Sequence, residues 1–130
     1  MIAYVEGSAA AKVLFREAET DGLKRYLDKL VADEATVISS FVLETELRRA
    51  AVRESASQSL VTDILDRFDL VEPDRTVYRE AGLLSGQNLR TLDALHVAVA
   101  LRVGADVLVS YDQRQIEAAQ SAGLHTASPR

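Results

Sequence analysis

Short apolar segments of strand length alternate with longer segments of helical periodicity along this chain. The strand-length segments cover residues 2–5, 35–39 and 106–109, and apolar residues recur at three- and four-residue spacing between them. Strands that are buried on both faces and joined through helices form parallel sheets. The pattern therefore predicts a single domain over residues 1–130, with a three-layer α/β/α fold and a short, mainly parallel sheet flanked by helices.

The remaining elements follow from the same periodicity. Helices are predicted over residues 8–17, 21–32, 41–54, 57–68, 74–84, 91–103 and 112–122, with minor strands over residues 70–71 and 124–126. Ser8 is expected to cap the first helix, Pro73 to lie in the first turn of the fifth, and Gly123 to end the last. The helix over residues 91–103 is apolar on nearly all sides, which predicts that it is buried.

The composition excludes several kinds of chemistry. With no cysteine among 130 residues, the chain has no disulfide and no thiolate ligand or nucleophile. A net charge of −5 argues against binding nucleic acid over the whole surface, but it is compatible with a nuclease whose acids hold cations. No segment has the apolar length of a membrane span, and the first residues lack the pattern of a signal peptide. We therefore expect a cytoplasmic protein that does not associate with membranes.

Two acidic residues come directly after predicted strands. Glu6 follows the first strand, and Asp112 follows the strand over residues 106–109. In parallel sheets, sites form beyond the carboxyl ends of the strands, so both side chains are expected at the functional edge. Each also has a structural explanation, because Glu6 would interact with a helix dipole and Asp112 would cap the helix that it begins. For Asp112 a dual role is reasonable.

The third predicted helix carries two glutamates in different surroundings. Glu44 lies one turn before Arg48, which is the spacing of a solvent-exposed ion pair. Glu46 instead borders the apolar stripe of the helix. We take Glu46 as the candidate site residue, with a boundary glutamate paired to Arg49 or Arg53 as an equally weighted alternative.

Asp93 is the strongest candidate. It lies in the first turn of the helix that is apolar on nearly all sides. The helix dipole and a cap from Thr91 would stabilise it, but a buried carboxylate still needs a partner for its outer oxygen. His96, one turn further along, is expected to be a hydrogen-bonded core residue rather than a ligand.

Four further residues are assigned supporting roles. Ser8 and Ser110 each lie two residues from an acid that follows a strand, and they would supply hydroxyl groups to the site. Arg90 and Arg114 lie close in sequence to the other predicted site residues. They would hold phosphates of a substrate, with a role as surface charges as a slightly favoured alternative.

The residue types of the predicted site point to a divalent cation. The four acids, Glu6, Glu46, Asp93 and Asp112, would repel one another and raise each other's pKa, a penalty that a cation removes. Oxygen ligands without a cysteine or histidine cluster suit Mg²⁺ or Mn²⁺ rather than zinc. Acidic sites of this kind hydrolyse phosphodiester bonds by activating a water and neutralising charge on the phosphate. We therefore predict that all four acids bind metal and take part in catalysis.

Two segments carry a resemblance to a known family. Residues 92–98 read LDALHVA and residues 109–112 read VSYD. Both resemble PIN-domain proteins, specifically the VapC-type toxins of bacterial toxin–antitoxin pairs, and the resemblance extends over essentially the whole chain. The segment ELRR, which begins at Glu46, matches the second acidic position of that family. The first motif departs from the family, because Glu6 replaces the usual aspartate; this is either a tolerated natural variant or a change that weakens a toxic enzyme.

The resemblance implies a function and a set of partners. It implies an endoribonuclease that depends on Mg²⁺ or Mn²⁺, cuts RNA in the bacterial cytoplasm and thereby inhibits translation. It also implies a VapB-type antitoxin as partner, and a homodimer that forms a heterotetramer or a larger assembly with it. Apolar residues of the early helices either leave a groove for a partner helix or all belong to the core: Phe15, Leu27, Phe41, Val52 and Leu60.

Other functions remain open. A catalytically impaired PIN-like module that binds RNA or protein would be consistent with Glu6, although the other three acids argue against it. DNA as the substrate also stays open, because the metal chemistry is shared. A phosphoacceptor receiver domain or an aspartate-nucleophile phosphatase ranks last, because the chain has neither paired acids after the first strand nor an Asp-x-Asp motif.

Overall fold

The computed structural model describes residues 1–130, which form seven helices and five strands. The elements in chain order are β1 (Ile2–Val5), α1 (Gly7–Leu14), α2 (Thr20–Ala32), β2 (Thr36–Ser40), α3 (Val42–Arg53), α4 (Gln58–Leu65), β3 (Asp69–Val71), α5 (Arg75–Leu83), α6 (Thr91–Arg102), β4 (Val107–Val109), α7 (Gln113–Ser121) and β5 (His125–Ala127). None of these helices has both the length and the apolar character that crossing a bilayer requires.

The five strands form one sheet in the order β3-β2-β1-β4-β5. Every neighbouring pair is parallel; in the centre, Ala3 of β1 lies opposite Val37 of β2 on one side and Val107 of β4 on the other. The prediction of a mainly parallel sheet is confirmed, and β5 is an edge strand as expected. Because all strands run the same way, the carboxyl ends of β2, β1 and β4 meet at one edge of the sheet.

Helices cover both faces of this sheet. Successive strand residues point to opposite faces, so Tyr4 and Leu108 pack in a core with residues of α5, α6 and α7. Their neighbours Val5 and Val109 pack in a second core with residues of α1, α3 and α4. The three-layer α/β/α prediction is therefore confirmed.

Helix α6 is the most buried helix of the fold. Every residue from position 94 to position 100 is buried, because α6 packs against α5, α7 and β2. This confirms the burial predicted from its nearly uniform apolar sequence. The first turn of α6 is partly open, so Asp93 at that end is only half-buried.

The beginning of α1 differs from the prediction. Glu6, rather than Ser8, is the N-cap, because its carboxylate reaches the backbone N–H groups of Ser8 and Ala9. Ser8 is itself the second residue of the helix. The helix also ends earlier than predicted, at Leu14 rather than at residue 17.

Two other helix ends differ from the prediction, and one agrees with it. Pro73 lies before the N-cap of α5 rather than in its first turn, since Asp74 is the residue that caps this helix. Thr91 is the first residue of α6 and does not cap it; Arg90 holds the N-cap position without a side-chain hydrogen bond. Gly123 follows the end of α7 with a φ of 93°, which confirms its predicted role in ending that helix.

Candidate active site

Three of the four predicted acids line one open cavity of about 420 Å³. Glu46 comes from α3, Asp93 from the first turn of α6, and Asp112 from the position before α7. All three side chains are partly exposed. The rest of the lining comes from the residues that begin α6: Arg90, Thr91 and Leu92.

Glu6, the fourth predicted acid, is buried and does not line this cavity. Its carboxylate accepts hydrogen bonds from the backbone N–H groups of Ser8 (2.9 Å) and Ala9 (3.1 Å) and from the Ser8 hydroxyl. Burial raises the pKa of Glu6, while nearby His96 and the three hydrogen bonds act in the opposite direction. The contacts of Glu6 are therefore those of a helix cap, whereas the structural alternative predicted for it was an interaction with the helix dipole.

Ser8 connects α1 to the turn that follows β4. Its hydroxyl donates to Glu6 and accepts a hydrogen bond from the backbone N–H of Tyr111 at 2.9 Å. These two bonds use the hydroxyl both as a donor and as an acceptor. Ser8 thereby fixes the position of the segment that leads into Asp112.

Asp112 caps α7, as the structural alternative predicted. Its Oδ1 atom accepts from the backbone N–H groups of Arg114 (2.9 Å) and Gln115 (3.1 Å). The Ser110 hydroxyl in turn accepts from the backbone N–H of Asp112 at 3.1 Å. The cap employs a single oxygen of Asp112, and the side chain still lines the acidic cavity.

Gln115 joins the segment after β4 to the first turn of α6, a role that was not predicted from the sequence. The side chain is fully buried. Its amide nitrogen donates to the backbone oxygen of Asp93 at 3.2 Å, and its amide oxygen accepts from the Ser110 hydroxyl at 2.8 Å. The available signal was its position four residues before Ala119, on the face of α7 that meets the core.

Glu46 is held from inside the protein. Its Oε1 atom contacts Nε2 of His96 and not Arg49 or Arg53, so the predicted alternative pairing is wrong. His96 is fully buried with a hydrogen-bond partner on each ring nitrogen, which confirms the core role expected for it. That one of these partners is a site acid was not predicted. The exposed pair of Glu44 and Arg48 is confirmed at 3.1 Å.

The three acids of the cavity influence one another electrostatically. The pKa of Asp93 is raised, first by burial and then by the negative charges of Asp112 and Glu46. His96 and Arg90 oppose this shift. The cavity is therefore a place where a positive charge would be stabilised.

The chemistry of the cavity fits a hard divalent cation. Its three carboxylates are oxygen donors of the kind that Mg²⁺ and Mn²⁺ accept. Two of them, those of Glu46 and Asp112, lie close enough to Asp93 to repel its negative charge. No three acidic or histidine side chains are gathered closely enough to form a ligand shell. The donor set is thus present around one cavity, without a preassembled coordination geometry.

The two predicted arginines lie in different places. Arg90 lines the acidic cavity beside Asp93. Arg114 lines a separate cavity of about 220 Å³, together with the loop over residues 85–89 and the outer side of α7. The structure therefore brings only Arg90 to the predicted metal site.

Comparison with known proteins agrees with this fold. The PIN domain family matches residues 3–120. Ribonuclease VapC46 of Mycobacterium tuberculosis is 36% identical to this chain over 129 residues, covering 97% of this chain and 96% of VapC46. Ribonuclease VapC35 of the same species is 36% identical over 132 residues, with the same coverage.

Solved structures share the fold. VapBC2 from Rickettsia felis, bound to a DNA fragment from its promoter, has a TM-score of 0.80 at 18% identity, with 100% of both chains covered. VapC20 of M. tuberculosis, a toxin that cleaves the sarcin–ricin loop, has a TM-score of 0.69 at 20% identity, with 94% of this chain and 95% of that chain covered. The family match and the two relatives at 36% identity show that this chain belongs to the PIN-domain family, in its VapC group.

Proposed function

We propose that this chain is a divalent-metal-dependent endoribonuclease. The main support for this proposal is the cavity that Glu46, Asp93 and Asp112 line together, at the edge of the sheet where the central parallel strands end. Burial, and after it the charges of Asp112 and Glu46, raise the pKa of Asp93, and carboxylates grouped in this way favour a bound cation. The VapC relatives at 36% identity are named ribonucleases, which supports RNA as the substrate.

The same three acids are the proposed ligands of Mg²⁺ or Mn²⁺. When bound, the ion would activate a water for attack on the phosphodiester and neutralise charge on the phosphate. Glu6 was also predicted as a ligand, but its oxygens already accept three hydrogen bonds at the start of α1. We therefore assign Glu6 the role of stabilising the beginning of α1 as its N-cap.

The polar residues around the acids have separate proposed roles. Arg90, on the rim of the cavity, would bind a phosphate of the RNA and keep the chain beside Asp93. Ser8 and Ser110 would keep the segment between β4 and α7 in place through their hydrogen bonds. Neither serine is needed as a nucleophile, because a metal-activated water supplies one.

We also propose a toxin role with a VapB-type antitoxin as partner. The same fold occurs in the VapBC structures from R. felis and from nontypeable Haemophilus influenzae. Of the early apolar residues, Phe41, Val52 and Leu60 are 45–55% exposed and so are not part of the core. Exposed apolar side chains of this kind support binding of a partner chain, either the antitoxin or a second copy in a homodimer. In a bacterial cytoplasm, uncontrolled RNA cleavage would inhibit translation.

A cleavage assay tests the proposed activity. Purified protein would be incubated with total RNA in Mg²⁺, in Mn²⁺ and in a chelator, and the new RNA ends would be mapped. We expect cleavage by the wild type that needs the metal and is lost in Asp93→Asn. Cleavage that survives both the chelator and the substitution would come from another nuclease and would contradict the proposal.

A PIN-like module that binds RNA without cutting it is the second candidate. The observation in its favour is that the Glu6 carboxylate caps α1 and does not line the acidic cavity. RNA binding without cleavage by the wild type, together with cleavage by Glu6→Asp, would support this candidate. Equal cleavage by both forms would show that glutamate at this position does not weaken the enzyme.

A further inference from the structure

A chain of contacts leads from the middle of the sheet to the acidic cavity. Tyr4 of β1 places its hydroxyl 2.7 Å from Nδ1 of His96, which lies on α6. The other ring nitrogen, Nε2, contacts Oε1 of Glu46 on α3. Tyr4 and His96 are completely buried, whereas the Glu46 side chain is 21% exposed and lines the cavity.

The direction of these hydrogen bonds follows from the chemistry of the carboxylate. A carboxylate oxygen only accepts, so the contact between Nε2 of His96 and Oε1 of Glu46 places a ring proton on Nε2. In the tautomer that carries its proton there, Nδ1 accepts a hydrogen bond from the Tyr4 hydroxyl. His96 therefore donates to the carboxylate, and the two rings are fixed edge-to-face with centroids 5.7 Å apart.

Without this support, Glu46 would have several alternatives. A glutamate has three rotatable bonds, and cationic side chains lie on the same helix at Arg49 and Arg53. The buried imidazole offers a fixed donor that selects one orientation of the carboxylate. On its other side the carboxylate meets the backbone of Gly7, so it is confined between α6 and the beginning of α1.

We propose that Tyr4 and His96 are positioning residues, which hold the Glu46 carboxylate in the orientation that a divalent cation in the acidic cavity requires. Neither residue lines the cavity, and the hydrogen bonds of both reach it only through Glu46. A partner that orients a ligating carboxylate affects metal affinity without contacting the metal. This inference rests on the proposed function, because it takes Glu46 as a metal ligand.

Calorimetric titration with Mn²⁺ tests the inference without measuring cleavage. We expect His96→Leu to weaken Mn²⁺ binding by about tenfold or more, which is the usual effect of losing an outer partner of a ligand. Tyr4→Phe removes only the hydroxyl that selects the imidazole tautomer, and it should weaken binding by a smaller factor. His96→Gln places an amide donor near the position of Nε2 and should restore most of the affinity.

Two controls separate positioning from general loss of stability. Val99→Ala creates a small cavity at another fully buried position of α6, and it should lower the melting temperature without changing Mn²⁺ affinity. In a Glu46→Gln background, His96→Leu should cause no further loss of Mn²⁺ affinity. This non-additivity is expected only where His96 acts through Glu46.

The outcomes that overturn the inference are distinct from those that overturn the proposed function. Mn²⁺ affinity in folded His96→Leu within about twofold of the wild type would reject the positioning role. If His96→Leu does not fold, unchanged Mn²⁺ affinity in Tyr4→Phe rejects it, because that variant lacks the hydroxyl that selects the imidazole tautomer. A wild type that binds no Mn²⁺ rejects the proposed function and this inference together.

Discussion

The carboxylate of Glu46 lies directly against the backbone of Gly7. A Cβ atom at residue 7 would come within 3.1 Å of Oε1 and within 2.8 Å of Oε2, and the second distance is shorter than Cβ atoms show in proteins. Gly7 is the first residue of α1, at the positive end of the helix dipole. The missing side chain thus lets an acid of α3 approach the favourable end of another helix.

Gly7→Ala should therefore displace Glu46 while preserving the fold. Alanine is favoured in a helix, and the atoms that it would meet belong to the flexible end of a side chain rather than to the backbone. We expect the melting temperature to stay the same or to rise. RNA cleavage under saturating Mg²⁺ should fall by about tenfold or more, because a misplaced catalytic group is costly.

Gly82→Ala is the matched control for this change. Gly82 lies in α5, and a Cβ atom there would have no neighbour within 4 Å. We expect a gain of about 0.5–1 kcal/mol in the free energy of unfolding and unchanged cleavage. Wild-type cleavage rates in both variants would show that the contact between residue 7 and Glu46 is not needed for activity.

Replacing Glu6 should reveal its role as a cap. Glu6→Ala removes three hydrogen bonds at the start of α1, and the free energy of unfolding should fall by about 1–3 kcal/mol. Glu6→Asp should stay within about 1 kcal/mol of the wild type, since aspartate is a favoured N-cap. Urea unfolding measures both changes. A variant Glu6→Ala that keeps its stability but loses Mn²⁺ affinity would identify Glu6 as a ligand instead.

The fold could be predicted from the sequence because its signals are local. The apolar runs of β1 and β4 and the nearly uniform apolar sequence of α6 indicate buried elements. Each of these patterns can be recognised without knowing what the element packs against. The edge of the sheet that holds the site then follows from the parallel order of the strands. The edge of the sheet predicted the positions of Asp112, which lines the cavity, and of Glu6, which does not, whereas Glu46 and Asp93 were identified from the helices that carry them.

The contacts that hold the site could not be predicted in this way. Tyr4 and His96 are 92 positions apart, and Glu46 and His96 are 50 positions apart. Periodicity identifies which face of a helix is buried, but not which residue of another element meets it. Likewise Ser8 was predicted to cap α1, and only the reach of the Glu6 side chain in the folded structure shows that Glu6 caps it instead.

Gln115 should be important for both stability and activity. Gln115→Leu would leave the backbone oxygen of Asp93 and the Ser110 hydroxyl without their buried partner, at a cost of about 1–3 kcal/mol in the free energy of unfolding. Cleavage should fall as well, because the turns that carry Asp93 and Asp112 lose their connection. Gln113→Ala, at an exposed position of the same helix, should change stability by no more than about 0.5 kcal/mol. Equal effects of the two substitutions would contradict this role for Gln115.

Arg90 should contribute to RNA affinity through a phosphate. In an Asp93→Asn background, which prevents cleavage, Arg90→Ala should weaken RNA binding and reduce the slope of log affinity against log salt concentration by about one. Lys24→Ala on α2 removes the same charge at an exposed position that does not line the cavity. Fluorescence anisotropy at several salt concentrations measures both. If the two variants lose the same affinity, the effect comes from net charge and not from a contact at the site.

Removing the charge of Asp93 should make the metal-free protein more stable, and the gain should depend on pH. In the folded state burial, Asp112 and Glu46 raise the pKa of Asp93 above its ordinary value of 3.8. An acid with a raised pKa stabilises the folded state fully only below its unfolded pKa, and this contribution is lost as the pH rises through the folded pKa. Asparagine has no such loss, so the stability of Asp93→Asn relative to the wild type should increase as the pH rises from about 4 and level off above the raised pKa.

Urea unfolding of the wild type and Asp93→Asn in a chelator, across this pH range, measures that difference. Each protein retains Glu46 and Asp112, so subtracting the two curves removes most of their own titration. Saturating Mn²⁺ should then stabilise the wild type more than the variant, because the cation offsets the repulsion that the substitution has already reduced. A difference in unfolding free energy that stays constant or shrinks as the pH rises would mean that the Asp93 carboxylate does not lie in unfavourable electrostatic surroundings. Repulsion among the acids would then give no reason to expect a cation in this cavity.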